Sequence, residues 1–280
     1  SKGYTDFELA DAALIARNNN SFYDKFRHRV MFPIIDRRGN IIGFGGRALE
    51  KDAPAKYLNS DETIVFKKRS NIFSLNFAKN TKEKYFILCE GYMDVIALNQ
   101  AGFTNAVATL GTAITPEQAR LMRQYCEEVV ISYDSDEAGQ KATMKAINLL
   151  NDAGISTKVL QMTGAKDPDE YIKKYGAEAF QMLIDKSGSA ISFELEKAKR
   201  GLNMDSSEGR SAFLKKAVVL LADIDSRLDR MVYMSDVAKW CDLSVQNVEL
   251  AVQDQLRRRG YRAREQENKM LMNKMTVHDK

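Results

Sequence analysis

Tyr85-Phe86-Ile87-Leu88-Cys89-Glu90-Gly91-Tyr92-Met93-Asp94 is the stretch on which the reading of this 280-residue chain turns. Five apolar or aromatic residues stop abruptly at a glutamate and a glycine, and an aspartate follows four residues after the glutamate. An apolar run this short, closed by a turn residue, reads as a buried strand. Glu90 then stands at the carboxyl end of that strand, where ligands and chemistry collect in open α/β sheets.

Downstream the pattern repeats as regular β/α alternation. A helix over 93–101 closes at Gly102, and 105–110 reads as a second strand ending at Gly111. Thr115-Pro116-Glu117-Gln118 opens the next helix with a capping box and proline in the first turn. A third strand, 129–133, ends at Asp134. A helix over 137–153 ends at Gly154, and a fourth strand, 157–161, leads into Lys166-Asp167-Pro168-Asp169. The helix after it, 171–186, is interrupted at Gly176. Strands joined by helices imply a parallel sheet with right-handed crossovers, which places successive strand ends on one edge. Glu90, the Asp134/Asp136 pair and the Asp167/Asp169 pair then share that edge.

Upstream the composition shifts. Residues 1–84 carry 16 Lys and Arg against 10 Asp and Glu, residues 85–186 carry 9 against 14, and residues 187–280 carry 17 against 14. A basic segment beside an acidic one suits a polyanion bridged by metal ions to carboxylates. Residues 5–17 have helical spacing, with Thr5 or Asp6 as cap, and Asn18-Asn19-Asn20 reads as a turn. The run 30–35 is a strand at an edge or a bulge because it contains Pro33. Arg37-Arg38-Gly39-Asn40 turns the chain into a return strand, 41–46, whose three glycines imply close backbone approach. Lys56, Lys67, Lys68 and Arg69, with Tyr57 interleaved, form a candidate phosphate-gripping patch with a stacking ring. The plain alternative is a basic loop with one packed tyrosine.

Residues 190–265 have an apolar helical face and no proline, so they read as a helical bundle in which Trp240 is a core residue. From Arg257 the chain turns polar and basic, like a linker to a further domain. The three cysteines lie far apart and only two histidines occur, which argues against a structural zinc site or a disulfide framework and favours a reducing cytoplasm. No apolar run approaches the roughly 20 residues of a membrane span.

Any single Asp-x-Asp is an ordinary solvated turn. Glu90, Asp134, Asp136, Asp167 and Asp169 together, each just after an apolar strand of one sheet, point instead to one metal site. Mg²⁺ (or Mn²⁺) takes one or two carboxylates per ion alongside substrate phosphates, so five carboxylates suffice for two or three ions.

EGYMD, YDSDEAG and KDPDEY resemble the Toprim fold of primases, topoisomerases and certain nucleases in order and spacing. RHRVMFPIIDRRGNIIGFGGRAL, AKYLNS and KKR narrow the resemblance to the RNA-polymerase domain of bacterial replicative primases of the DnaG type. The implied architecture is an α/β Toprim domain (85–187), preceded by a small basic α+β lobe (1–84, incomplete at its start). A helical subdomain (188–265) and a linker (266–280) follow. The resemblance implies a DNA-dependent RNA polymerase that makes short primers on single-stranded DNA from ribonucleoside triphosphates, in the bacterial cytoplasm. It places Glu90, Asp134 and Asp136 in catalysis, and Arg47, Lys56, Tyr57, Asn59, Lys68, Met93 and Asp94 at the nucleotide. Arg27, Arg29, Lys67 and Arg69 fall on the nucleic acid. It further implies zinc only in a domain absent from this chain, a replicative helicase reached through an absent C-terminal domain, and an alarmone as a candidate competitor at the triphosphate site. A Toprim nuclease or topoisomerase, or a non-catalytic Toprim DNA-binding module, is the alternative reading.

Overall fold

The computed structural model describes residues 2–18, 21–111, 113–134, 136–224 and 226–258. They fall into two compact units that divide between Gly188 and Ser189.

In the first unit, Thr5 starts helix α1 (Asp6–Asp11) through a capping box with Glu8. The sequence predicts a helix over 5–17, but this one stops at Asp11. Ala13 enters the left-handed region at φ 56°, and the chain continues as β1 (Ile15–Asn18), antiparallel to β2 (Ser21–Asp24). A helix this short, with no buried residue, has no packing to extend it, whereas the hairpin satisfies the backbone of 15–18. The predicted turn at Asn18-Asn19-Asn20 lies partly outside the described residues.

A three-stranded antiparallel sheet follows, in the order β3 (Arg29–Ile35), β4 (Ile41–Ala48), β5 (Tyr57–Asn59). Pro33 sits in the edge strand, and the register breaks between Ile34 and Ile35, in line with the sequence. The turn between β3 and β4 is held by Asp36, whose carboxylate accepts from the backbone of Arg38 and Asn40. A single 3₁₀ turn (Lys68–Ser70) and the short helix α2 (Leu75–Ala78), neither foreseen from the sequence, lead into the second sheet.

There the elements alternate: β6 (Tyr85–Cys89), α3 (Tyr92–Gln100), β7 (Ala106–Ala108), α4 (Pro116–Met122), β8 (Glu128–Ser132), α5 (Glu137–Asp152), β9 (Ser156–Val159) and α6 (Pro168–Asp185). The strands are parallel in the order β9-β8-β6-β7, with the two-residue β10 (Gly188–Ser189) next to β9. Cys89 pairs with Ser132, so β6 and β8 end side by side. Phe86, Ile87, Leu88, Val129, Val130 and Ile131 are all fully buried. Burial on both faces is why these strands read as unbroken apolar runs rather than alternating ones. Helix α6 contains Gly176 at φ 82°, which is the predicted interruption.

The second unit is helical: α7 (Ala190–Lys199), α8 (Ser207–Ala222), α9 (Arg227–Cys241) and a further helix over 245–258. Leu195, Phe213, Leu221, Met234, Val237 and Val248 form its core. Trp240 packs edge-on against Phe213 at 5.8 Å, a core role, with the Lys199 ammonium 3.9 Å from its ring centre. The predicted linker, 266–280, lies outside the described residues. Cys89, Cys126 and Cys241 are free and buried. Among the described residues no helix is long and apolar enough to cross a membrane.

Candidate active site

Strand ends β6 and β8 deliver Glu90 and Asp134 to the same edge of the parallel sheet. The Asp134 backbone N–H donates to Glu90 Oε1 at 3.2 Å. Helix α5 packs directly beneath: a Cβ on Gly139 would lie 2.1 Å from the Asp134 carbonyl oxygen and 3.1 Å from Glu90 Oε1. The glycine of YDSDEAG is therefore required by close approach of helix to loop. Asp136 caps α5, accepting from Gly139 N–H at 2.7 Å. Asp167 caps α6 in the same way, accepting from Glu170 N–H at 2.8 Å. One member of each Asp-x-Asp pair is thus oriented by its own helix N-terminus.

Burial and mutual repulsion mark the carboxyls of this edge. Burial raises the Glu90 carboxyl, and repulsion from Asp134 adds to it. Burial and then Asp167 and Asp136 raise Asp134. Asp94, in the first turn of α3, is pushed up to about 7 by burial first and by Asp167 and Asp134 next. Carboxylates that raise one another in this way favour a bound cation.

A cavity of about 760 Å³ opens over the edge. Its acidic lining residues are Glu90, Asp94, Asp134, Asp167, Asp169 and Glu170. The same cavity is lined by the basic residues Arg47, Lys56, Lys166, Lys173 and Lys174, and by Tyr57 and Met93. Arg47 and Lys56 each lie 5.9 Å from the Tyr57 ring centre. The structure therefore brings together four of the five predicted metal carboxylates. Asp136 does not line the cavity. Among the described residues, no three acidic, histidine or cysteine side chains stand close enough to form a ready-made metal cage. An all-oxygen donor set still fits Mg²⁺ or Mn²⁺, which keep several waters and complete their shell with substrate phosphates.

The remaining predicted contacts lie outside this cavity. Arg29 donates to the carbonyls of Gly46 at 3.1 Å and Ala55 at 2.8 Å, pinning the loop after β4. Arg69 pairs with Glu117 at 2.6 Å. Arg27 lies over Tyr23 at 5.2 Å. Lys67 and Lys68 belong to the 3₁₀ turn and its cap. Asn59 is half-buried and its amide is engaged at both ends: Nδ2 donates to Leu110 O at 2.9 Å, and Oδ1 accepts from Tyr92 Oη at 2.5 Å. Sequence reasoning missed Lys166, Lys173, Lys174 and Glu170. The signal was present, since Lys173 follows Asp169 at the i,i+4 spacing that puts two side chains on one helix face.

Three family models match the chain. They are the N-terminal domain of the DNA primase catalytic core over residues 1–79, a Toprim-like model over 87–172, and the DnaB-helicase binding domain of primase over 191–246. The sequence expectation put helicase binding in a domain outside this chain, whereas the last match lies within it. It falls on α7–α9, and a helical pattern read as core packing gave no hint of a partner. Among curated proteins, the DNA primase of Clostridium acetobutylicum is 44% identical over 239 residues, which are 85% of this chain and 40% of that protein. The Enterococcus faecalis primase is 38% identical over 84% of this chain and 39% of its own length. The chain thus spans about 40% of the length of the curated primases it matches. Among solved structures, a DNA primase domain from Pseudomonas aeruginosa is 34% identical with a TM-score of 0.71, covering 90% of this chain and 81% of that one. The RNA polymerase domain of Mycobacterium tuberculosis DnaG, in complex with a double-stranded DNA oligomer bearing a 6-nucleotide overhang, is 31% identical. Its TM-score is 0.76, with coverage of 87% and 79%. With its acidic sheet edge, its glycine-rich basic lobe and a relative matched over most of both lengths, the chain belongs to the DnaG-type primase family.

Proposed function

We propose that this chain synthesises short RNA primers on single-stranded DNA by divalent-metal-dependent nucleotidyl transfer. The observation that carries the reading is the single cavity that sets Glu90, Asp94, Asp134, Asp167 and Asp169 against Arg47, Lys56 and Tyr57. Carboxylates that could hold divalent ions, with cations and an aromatic ring lining the same cavity, suit a nucleoside triphosphate. Relatives solved as a DnaG catalytic domain bound to single-stranded DNA, and with duplex DNA, support a DNA template.

Glu90, Asp134, Asp167 and Asp169 would hold the ions, two or three Mg²⁺ or Mn²⁺, with Asp136 orienting the α5 end. When bound, these ions supply Lewis-acid stabilisation of the transferring phosphoryl group. In the reaction, the primer 3′-hydroxyl gives up its proton to solvent and its oxygen forms a bond to the α-phosphorus. The bond from that phosphorus to its bridging oxygen breaks, and pyrophosphate leaves with the electron pair. Arg47 and Lys56 offset the charge developing on the phosphates, and Tyr57 and Met93 bound the nucleotide. Asp94, buried in the first turn of α3 and lining the same cavity, supports the site beside the nucleotide. Arg27, Lys67, Lys68 and Arg69 form an outer basic track for the template. The helicase is a partner of the second unit, on the segment matching the DnaB-binding model. An anionic alarmone would compete for the lysines of the same cavity.

Topoisomerase chemistry needs a free nucleophilic tyrosine. Tyr233 shares a hydrogen bond with Ser189 Oγ at 2.7 Å, and Tyr261 lies outside the described residues. Template-directed incorporation of ribonucleotides by the purified chain tests the proposal, with supercoiled DNA plus Mg²⁺ and no nucleotides as the control. Nicking or relaxation in that control, without RNA synthesis, would replace this reading by the nuclease one.

A further inference from the structure

Two lysines of the cavity neighbour the very carboxylates assigned to the ions, one in direct contact and one at longer range. Lys173 Nζ lies 2.6 Å from Asp169 Oδ2, one helical turn along α6. Lys166 Nζ lies 4.0 Å from Asp167 Oδ2, just before the same helix. In both pairs the carboxylate is largely shielded, at 23% and 22% side-chain exposure. Both lysines are open, at 69% and 74%. Asp167 is further fixed as the α6 cap. The arrangement is lopsided: a held anion beneath a mobile cation on a long, flexible stem.

We infer that Lys166 and Lys173 are built-in counter-cations of the Asp167/Asp169 pair, displaced from the carboxylates by divalent ions and handed to the incoming triphosphate. The inference rests on the nucleotidyl-transfer reading and goes beyond it, because it gives the two lysines alternate partners in two states. The physical ground is competition at one oxygen. A divalent ion binding Asp169 competes with the Lys173 ammonium at 2.6 Å, and one binding Asp167 meets the weaker field of Lys166 at 4.0 Å. The displaced ammonium stays tethered to α6 at the cavity wall, close to where metal-bound phosphates bring new negative charge. Lysine suits this exchange better than arginine, since its compact ammonium re-forms a charged contact from many rotamers. The exchange couples the two ligands: metal frees the lysine, and nucleotide recaptures it. Each ligand then raises the affinity for the other, as reciprocal linkage demands. An ordinary solvent-exposed i,i+4 pair would give no such coupling.

The test separates metal from nucleotide. Mn²⁺ titration of the nucleotide-free wild-type chain gives the reference affinity. Lys173→Gln is expected to tighten Mn²⁺ binding about two- to tenfold, since no ammonium has to be displaced. In primer synthesis the same variant is expected to raise the KM for ribonucleotides about tenfold, with kcat within about threefold of wild type. Lys166→Gln should act in the same direction, and Lys173→Arg should restore most of the KM. Unchanged or weaker Mn²⁺ binding in both glutamine variants, beside an active wild type, overturns the inference and leaves the polymerase reading standing. A wild-type chain that binds Mn²⁺ but makes no RNA overturns the polymerase reading and, with it, the inference. Both lysines are exposed, so a folding defect is not a competing explanation, and a thermal melt of each variant checks this.

Discussion

Tyr92 donates its phenolic hydrogen to Asn59 Oδ1 at 2.5 Å, across the junction between the N-terminal lobe and the parallel sheet. The Asn59 amide then donates to the Leu110 carbonyl at 2.9 Å. One side chain thus ties β5 to helix α3 and to the loop after β7. The Tyr92 ring stacks on Phe32 at 5.4 Å and meets Phe73 edge-on at 4.5 Å, within a cluster that includes Ile34, Phe66 and Leu110. It also explains a glycine: a Cβ on Gly45 would lie 2.7 Å from the Tyr92 ring. The tie holds Lys56 and Tyr57, on the lobe, at a fixed distance from Glu90 and Asp94, on the sheet. The tyrosine of EGYMD is therefore an anchor for the site, and Asn59 acts on the site by positioning it.

Breaking this tie should lower stability and nucleotide affinity together. Tyr92→Phe leaves Asn59 Oδ1 half-buried and unpaired, which should destabilise the first unit by about 1–2 kcal/mol. Asn59→Ala should cost at least as much, and the double variant less than the sum of the two, because both lose the same bond. Gly45→Ala forces the Tyr92 ring aside and should cost about 1–3 kcal/mol. Denaturant melts of the four variants check this. Additive losses from Tyr92→Phe and Asn59→Ala would show that the bond carries no shared energy.

Asp134→Asn isolates charge from geometry. The contact that Asp134 makes with Glu90 runs through its backbone N–H, so the substitution leaves it in place. Primer synthesis should fall by about 10²–10³-fold, the scale seen when one stabilising group is removed from a transition state. The metal-free variant should melt no lower than wild type, since one of several repelling carboxylates has been neutralised. It should also gain less stability than wild type from added Mg²⁺, because ligand-induced stabilisation tracks affinity. Full activity in Asp134→Asn would remove this residue from the site.

Much of this was legible in the sequence because buried parallel strands leave a coarse trace. Buried runs such as 86–89 and 129–133, followed at once by Glu90 and Asp134, fix both the sheet and its chemically active edge. The α4 capping box was readable because Thr115 and Gln118 satisfy each other within one turn. Contacts set by tertiary packing were not readable. Nothing local in Ala12–Leu14 announces that α1 ends early and a hairpin begins. Asn59, Arg29 and Lys173 look alike in sequence, as polar residues near a polyanion site. Only the fold shows that the first bridges two layers, the second staples a loop to β4, and the third rests on a carboxylate.

The second unit should carry its own pH signature. Glu194 is half-buried on α7, and burial followed by repulsion from Asp223 raises its carboxyl, against a smaller pull from Lys197. An acid raised in the folded state holds its proton longer there than in the unfolded chain. Its contribution to stability is then fully present below the unfolded value of about 4.3 and is lost as pH rises through the folded value. Glu194→Gln removes that loss. At pH 7–8 the variant should be more stable than wild type by up to about 1 kcal/mol, after allowing for screening at a half-exposed group. The difference should vanish near pH 4. Thermal melts across that range check the sign, and a wild type that equals or exceeds the variant at pH 8 would contradict it.

Arg29 and Lys67 both belong to the basic face of the lobe, yet the structure gives them different jobs. The Arg29 guanidinium is bound to the carbonyls of Gly46 and Ala55, whereas Lys67 caps the 3₁₀ turn through its backbone and its side chain is exposed. If Lys67 neutralises a template phosphate, Lys67→Ala should reduce the slope of log affinity against log salt by about 0.7 for single-stranded DNA, with little effect on melting. Arg27, which lies over Tyr23 on the same lobe, should behave like Lys67. Arg29→Ala should instead destabilise the lobe by about 1–2 kcal/mol and leave the salt slope near its wild-type value, because the lost bonds are internal. Fluorescence anisotropy on an oligonucleotide at several salt concentrations, paired with denaturant melts, separates the two. A drop in slope for Arg29→Ala without loss of stability would place its guanidinium on the phosphate backbone instead.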